Sequence, residues 1–225
     1  MIQFNSHKLK KAEADFMSRY PDGFADPEMV KIGKRHPMEK MTALARECFS
    51  AKASKDIQQY ADDMAKVVGR SSMVSMFEKP KFRDFVKRLA PGEQSFMVQA
   101  MHDFLHGSNQ QAGFEALVEL LKTEKLAKWS LVSIIPAYYS PTDEVFVKPT
   151  TAKNIIEYFE VSGLVYKPAP TWSFYSAYRD LINNAKTKVD SSLSPSNAAF
   201  SGFLMMTMPS LKDGCYSYIH KQGVR

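Results

Sequence analysis

The stretch "IIPAYYSPTDEVFVKPTT", residues 134–151, decides the fold class, because the sequence on either side of it has helical periodicity. It contains three prolines, and proline disfavours helical geometry at the residue before it. Residues 144–147, "EVFV", are β-branched and aromatic apart from Glu, a composition typical of a short strand. The segment "LVYKP" at 164–168 ends in the same Lys-Pro pair as "VFVKP" at 145–149. Together these stretches predict a minor two-stranded β element near residues 144–167.

Amphipathic helices are predicted over most of the remaining chain. Leu9, and Phe16 two turns later, lie on one face at helical spacing. Asp26 followed by Pro27 has the pattern of an N-cap and a first helical residue. No Gly-, Ser- or Pro-rich linker long enough to separate two domains is present. The sequence therefore predicts a mainly α, multi-helix single domain over residues 1–225, with the β element as a minor part.

Composition sets the broad class of protein. Hydrophobic residues make up 44% and charged residues 24% of the 225-residue chain, which suits a packed core and argues against wholesale disorder. The two cysteines, Cys48 and Cys215, form no CxxC motif, so a reducing cytoplasm is expected. The N-terminus lacks the apolar region of a signal peptide, and apolar runs are too short to span a bilayer. We therefore expect a cytoplasmic protein without a membrane partner.

Positive charge is concentrated in the first two-fifths of the chain. Residues 1–89 hold 18 Lys and Arg against 12 Asp and Glu, whereas residues 90–225 hold 12 of each. The formal net charge of +6 therefore belongs to a basic helical half, and the other half is neutral. Such an asymmetry predicts an anionic partner for the basic half, commonly a nucleic acid or a membrane surface.

Two basic clusters in that half are the candidate nucleic-acid-binding residues. One lies in "KIGKRHP" and the other in "EKPKFRDFVKRL". Their members are Lys31, Lys34, Arg35, Lys79, Lys81, Arg83, Lys87 and Arg88. Cations along a helix face can follow phosphates and give non-specific, salt-sensitive affinity. The alternative interpretation of each cluster is a solvated helix face, since no helix-turn-helix spacing is present and no aromatic platform is predicted beside the cations.

The segment "MHDFLHG" is the candidate metal site. His102 and His106 are four residues apart, so on a helix both imidazoles can face one ion, with Asp103 nearby. The pattern is similar to the HExxH motif of zinc proteases, with Asp in place of Glu. A third ligand would come from the following helix, where Glu115 and Glu119 are the candidates. The alternative is structural, with a cationic His106 stabilising the C-terminal end of its helix.

Other chemistries have little support in the sequence. GxSxG, P-loop and dinucleotide-binding motifs are absent, so no cofactor is predicted and enzymatic activity is not favoured. The helix predicted around "SNAAFSGFLMMTM" at 196–208 is apolar nearly all round, as is typical in a core or at an interface. Three hypotheses result: a nucleic-acid-associated accessory protein, which the charge favours; a protein-interaction or assembly module, including a homo-oligomer; and a metal-dependent hydrolase using His102 and His106.

Three segments of the chain also carry a resemblance to known sequences. They are "RYPDGFADP" at 19–27, "KWSLVSIIPAYYSPTDEVFVKPTTAKNIIEYF" at 128–159 and "LVYKPAPTWSFYSAYRDLI" at 164–182. These segments are similar to a bacterial protein family with YPxGFxDP, FxKPxxT and YxPxPxWxxYxxL motifs and no assigned activity. The resemblance implies a bacterial cytoplasmic setting and carries over no catalytic residue. The chain departs from the family pattern at "LSPSNAAFSGFLMM", where acidic residues are expected.

Overall fold

The structure of the protein, a computed structural model, describes residues 2–209. Within that range the chain forms eleven α-helices and three short 3-10 turns, which confirms the predicted mainly α class. The helices are α1 (Ser6–Met17), α2 (Pro27–Gly33), α3 (Met38–Cys48), α4 (Ile57–Arg70), α5 (Glu78–Arg88), α6 (Pro91–His106), α7 (Gln110–Lys122), α8 (Trp129–Tyr139), α9 (Pro149–Tyr158), α10 (Trp172–Lys186) and α11 (Asn197–Met206). The 3-10 turns are Gly23–Ala25, Ala53–Lys55 and Ser191–Leu193. Cys215 lies outside the described residues.

Short polar side chains fix where several helices begin. The Asp26 carboxylate accepts a hydrogen bond from the Glu28 N–H, and Pro27 is the first residue of α2, as predicted. Thr171 accepts from a backbone N–H in the first turn of α10, and Ser196 does the same for α11. Each cap satisfies one of the N–H groups that a helix start leaves without an intrahelical partner.

Helix α8 lies at the centre of the packing. Residues 129–138 are all buried, and α3, α4, α6 and α7 pack against this helix. Helices α6 and α7 approach closely because Gly113 has no side chain; a Cβ there would lie 2.6 Å from the Ala100 carbonyl oxygen. Buried apolar residues from Phe4 to Met208 form one continuous cluster. Although α8 is mostly apolar, neither it nor any other helix of the described chain is long and apolar enough to cross a membrane.

The two strands predicted near residues 144–167 are wrong. Neither segment is a strand, and the part of the chain that the structure describes contains no sheet. Side chains of α8 bind the backbone groups that strand pairing would have used. The Val147 N–H donates to Ser133 Oγ at 2.9 Å, and Trp129 Nε1 donates to the Lys167 carbonyl at 2.8 Å. Each segment is therefore paired with the central helix and not with the other segment.

Helix α8 also continues through Pro136, against the expectation that the residue before a proline leaves helical geometry. Packing on every side of α8 accounts for this difference, because tertiary contacts supply most of the stability of a helix in a folded protein. The Ser133 hydroxyl adds a local bond by donating to the Trp129 carbonyl at 2.6 Å. The proline-rich stretch thus contains the end of a buried helix and an irregular segment.

A buried polar cluster anchors that irregular segment between α8 and α9. The Glu144 side chain, 10% exposed, accepts hydrogen bonds from Arg179 Nη1 at 2.9 Å and from the Tyr175 hydroxyl at 2.7 Å. Gln110 Oε1 accepts a second bond from Arg179 Nη1 at 3.0 Å. Asn197 Nδ2 donates to the Glu144 carbonyl at 3.1 Å. Side chains from three helices therefore hold a segment that has no regular backbone pairing.

Candidate nucleic-acid interface

Helix α5 presents the second basic cluster to solvent. Its inner face buries Phe82, Phe85 and Val86, and the helix packs against α4. An acidic residue in its first turn and two basic residues in its last turn suit the helix dipole. The Glu78 carboxylate accepts from Ser130 Oγ at 2.6 Å, which fixes the start of α5 to the start of α8. The opposite face of α5 is exposed to solvent and carries the charged residues.

The five cations of α5 form two rows along this helix. Lys79, Arg83 and Lys87 recur every four residues, and Lys81 and Arg88 are seven residues apart. Lys79 is half-buried and the other four are exposed. Four residues of an α-helix rise about 6 Å, so the first row places positive charges at roughly that interval.

Two of the five cations form ion pairs within the described part of the protein, and both pairs are exposed. Arg83 pairs with its neighbour Asp84 at 3.0 Å, and Arg88 pairs with Glu124 at 3.6 Å. Both pairs are more than half exposed, so each contributes little to stability and is screened by salt. No carboxylate among residues 2–209 lies within ion-pairing distance of the three lysines of α5. The helix therefore offers a face of net positive charge to an anionic partner.

An exposed aromatic side chain stands at the start of this basic face. Phe77, the N-cap residue of α5, is 82% exposed, and Met76 beside it is 80% exposed. The loop before them is held by Ser71, whose Oγ accepts from two backbone N–H groups, and by buried Val74. The Phe77 N–H donates to the hydroxyl of Ser75 at 3.3 Å. The exposure of Phe77 was not predicted; its signal is "SMFEKP", an apolar pair in a serine-containing loop directly before a basic helix.

The first basic cluster occupies a different element. Lys31 lies in the last turn of α2, Lys34 is its C-cap residue and Arg35 follows, and all three are exposed. Cations at this end of a helix interact favourably with the helix dipole. Helix α2 packs against the turn Gly23–Ala25, whereas α5 packs against α4. The two clusters are therefore presented by separate helices, and only the α5 cluster combines cations with an exposed aromatic ring.

The two candidate metal ligands contact backbone carbonyls. His106 Nε2 lies 2.8 Å from the Phe49 carbonyl oxygen, and His102 Nε2 lies 3.2 Å from the Ala51 carbonyl oxygen. A carbonyl can only accept, so both Nε2 atoms carry the proton and are occupied as donors. No group of three His, Cys, Asp or Glu side chains that could hold a metal ion exists among residues 2–209. The pair is placed to fasten the loop after α3 onto α6.

Helix α11 uses most of its apolar surface inside the chain. Phe200, Phe203 and Leu204 are fully buried, and α11 packs against α1, α9 and α10. Met205 and Met206 are only half-buried. The apolar character that suggested an interface is therefore explained mainly by the core, with two methionines left accessible.

Comparison with known proteins adds no functional information. No protein-family model, curated protein or solved structure matches the chain. Any function must therefore be argued from the side chains that the structure brings together.

Proposed function

We propose that the protein is a nucleic-acid-associated accessory protein of the cytoplasm, and that α5 with Phe77 is its contact surface. The observation that carries the proposal is the juxtaposition of five cations on one helix with an aromatic side chain 82% exposed at the start of that helix. Single-strand-binding proteins combine cations that follow the backbone with aromatic rings on which bases stack. Single-stranded DNA or RNA is therefore the preferred partner.

The spacing of the first row supports phosphate contacts. Lys79, Arg83 and Lys87 place positive charges about 6 Å apart along one side of α5, so the row can follow the phosphates of one strand. The three lysines of α5 have no internal ion pair within the described chain, so binding sacrifices no existing pair at these positions. Such contacts give affinity without base specificity.

Salt dependence gives the first test. The logarithm of the binding constant for a single strand falls by about 0.7 per phosphate contact for each tenfold rise in salt, so three contacts predict a slope near −2 and five a slope near −3.5. We expect K79Q/R83Q/K87Q to make the slope shallower by about 2 in fluorescence anisotropy with labelled oligonucleotides. The matched control is K153Q/K167Q/K188Q, which removes three exposed lysines from the neutral half and should leave the slope unchanged.

Phe77→Ala tests the stacking contribution. Loss of one base–aromatic stack costs about 1–3 kcal/mol, which corresponds to an affinity about 5- to 150-fold lower for single strands. Phe96→Ala is the matched control, because Phe96 on α6 is 49% exposed and lies outside the α5 surface. An equal loss of affinity for Phe77→Ala and Phe96→Ala would refute the proposal. The proposal would also be refuted if the parent protein bound neither single nor double strands at low salt.

An anionic lipid surface is the competing partner for a basic helix with an exposed Met-Phe pair. Sedimentation with vesicles of phosphatidylcholine and phosphatidylserine distinguishes the two. Phe77-dependent binding to these vesicles without binding to oligonucleotides would overturn the nucleic-acid proposal and assign the α5 surface to a membrane. The metal-dependent hydrolase receives no support from the His102–His106 geometry, and we do not propose it.

A further inference from the structure

A second candidate site lies between α2, α11 and the irregular segment that precedes α9. The structure contains a cavity of about 370 Å³ there. Its apolar wall includes Phe24, Met29, Ile32, Met73, Phe146 and Met206. Ala198 and Gly202 on α11 leave room at one side because their side chains are small or absent. A volume of this size falls within the range of about 300–1,000 Å³ in which proteins bind small molecules.

The apolar wall is recessed. None of the cavity's lining side chains is among the strongly exposed large apolar residues of the described chain, which lie elsewhere. The exposed set comprises Val30, Met76, Phe77, Phe96 and Val165. A protein partner needs about 800 Å² of surface per side, usually around protruding anchors. A concave apolar wall of this size fits a slim apolar group instead, and methionine side chains adapt well to such a group.

One part of the wall carries a lysine beside a histidine. His36 and Lys148 both line the cavity, and no Asp or Glu of residues 2–209 does so. Lys148 has no carboxylate within ion-pairing distance in the described chain. The His36 ring is oriented by Ser72, with Nδ1 2.9 Å from the hydroxyl oxygen. Burial, and after it the charges of Lys148 and Arg35, lower the pKa of His36, so at neutral pH the imidazole is mainly neutral and Lys148 carries the positive charge of this edge.

We propose that this cavity binds a small amphiphile with an unbranched apolar body and an anionic head, of the fatty-acid class, with the head at Lys148 and His36. Charge complementarity selects an anionic over a neutral head, and the apolar wall selects a hydrocarbon body. The site is distinct from the α5 surface, and the proposal does not depend on nucleic-acid binding.

Isothermal calorimetry with decanoate and with the neutral decanamide tests both the anionic head and the existence of the binding site. We expect decanoate to bind at a single saturable site about tenfold or more tightly than decanamide, since a hydrogen bond to a charged group is the stronger kind. Octanoate should bind about 15-fold more weakly than decanoate, because each buried methylene contributes about fourfold. Equal affinities for decanoate and decanamide would refute the anionic head, and the absence of saturable binding would refute the site.

Two substitutions locate the binding. Lys148→Gln should weaken decanoate about tenfold and leave decanamide unchanged, whereas Lys153→Gln on the exposed side of α9 should change neither. Gly202→Leu should abolish binding of both ligands by filling the cavity; a Cβ at Gly202 meets no atom within 4 Å, so the side chain can be added without a clash at its first atom. Gly92→Leu, at a helical glycine with equally open surroundings, controls for the effect of replacing a glycine.

Folding and self-association are measured alongside. Circular dichroism should show that all four variants retain the helical content and cooperative melting of the parent chain. Decanoate binding that survives Gly202→Leu in a folded protein would place the ligand elsewhere and overturn the proposal. A dimer in light scattering that Gly202→Leu converts to a monomer would also overturn it, because the cavity would then belong to an interface between two copies of the chain.

Discussion

Replacing Arg179 with Met removes the cation that pairs with Glu144 in the buried cluster. The Arg179 and Glu144 side chains are 17% and 10% exposed, so water screens the pair poorly. The substitution keeps much of the aliphatic length of the side chain and deletes the guanidinium. That group also lies over the Trp172 ring, 5.5 Å from its centroid, and donates to Gln110 Oε1.

The expected loss can be worked from these contacts. Breaking a buried ion pair by removing one partner costs about 3–5 kcal/mol, because the other charge remains buried without compensation. Glu144 keeps the Tyr175 hydroxyl as a donor, which favours the lower end, near 3 kcal/mol. One kcal/mol shifts the midpoint of thermal unfolding by about 2–4 °C in a protein of this size, so a fall of about 6–12 °C is expected. Arg83→Met, which breaks the exposed pair with Asp84, should cost less than about 1 kcal/mol.

Urea unfolding followed by tryptophan fluorescence and by circular dichroism measures the loss of free energy. A double-mutant cycle with Glu144→Gln gives the coupling, and the double variant should be less destabilised than the sum of the two single variants, by about 0.5–3 kcal/mol. A loss below about 1 kcal/mol for Arg179→Met, or an additive double variant, would show that the pair does not anchor the segment.

Three further predictions concern residues on α3, α4 and α6. His106→Phe removes the bond to the Phe49 carbonyl and should lower the free energy of unfolding by about 1–3 kcal/mol in urea titrations; an unchanged value would show that the contact is dispensable. The Cys48 thiol should react with iodoacetamide about a hundredfold more slowly at neutral pH than an unperturbed thiol, because burial and then Asp63 raise its pKa to about 11; rapid labelling in peptide mapping would contradict this. Burial is the largest single effect on the pKa of Asp63 and would raise it, but the hydrogen bonds from Lys66, Gln59 and Cys48 together outweigh burial and lower the pKa. The stabilisation by Asp63 is therefore present above pH of about 4 and is lost as pH falls through the folded pKa. Asp63→Asn should therefore flatten the acid side of the stability profile, and an unchanged profile would rule this out.

Helix positions could be predicted from the sequence because their signals are local. Asp26 and Pro27 start α2 where the pattern places them, since a cap and its helix are adjacent in the chain. The two strands could not be excluded in this way. Val147 gives its N–H to Ser133, fourteen residues away, and nothing in "EVFV" indicates that a serine of the preceding helix will take the place of a strand partner. Partners supplied by tertiary packing are not visible in local composition.

The candidate sites also combine features that local sequence predicts with features that depend on tertiary packing. The cations of α5 could be predicted to face solvent, because the spacing of Phe82 and Phe85 fixes the buried side of the helix. The exposure of Phe77 was not predicted: "SMFEKP" marks an apolar pair before a basic helix, but whether such a pair is buried or exposed depends on how its loop is anchored. The spacing of His102 and His106 could be read from the sequence. The carbonyl groups to which the two imidazoles donate could not, because they belong to a loop more than fifty residues earlier.

The buried cluster also links stability to the proposed cavity and separates the two proposed functions. Glu144 anchors the segment that carries Phe146 and Lys148, and both of these line the cavity. Helix α5 instead rests on α4 and on the start of α8. Arg179→Met, studied well below its unfolding midpoint, should therefore weaken decanoate binding while oligonucleotide binding stays within about twofold of the parent. If decanoate binding and oligonucleotide binding weakened together, the substitution would destabilise the whole core. The anchoring role assigned to Glu144 and Arg179 would then be wrong.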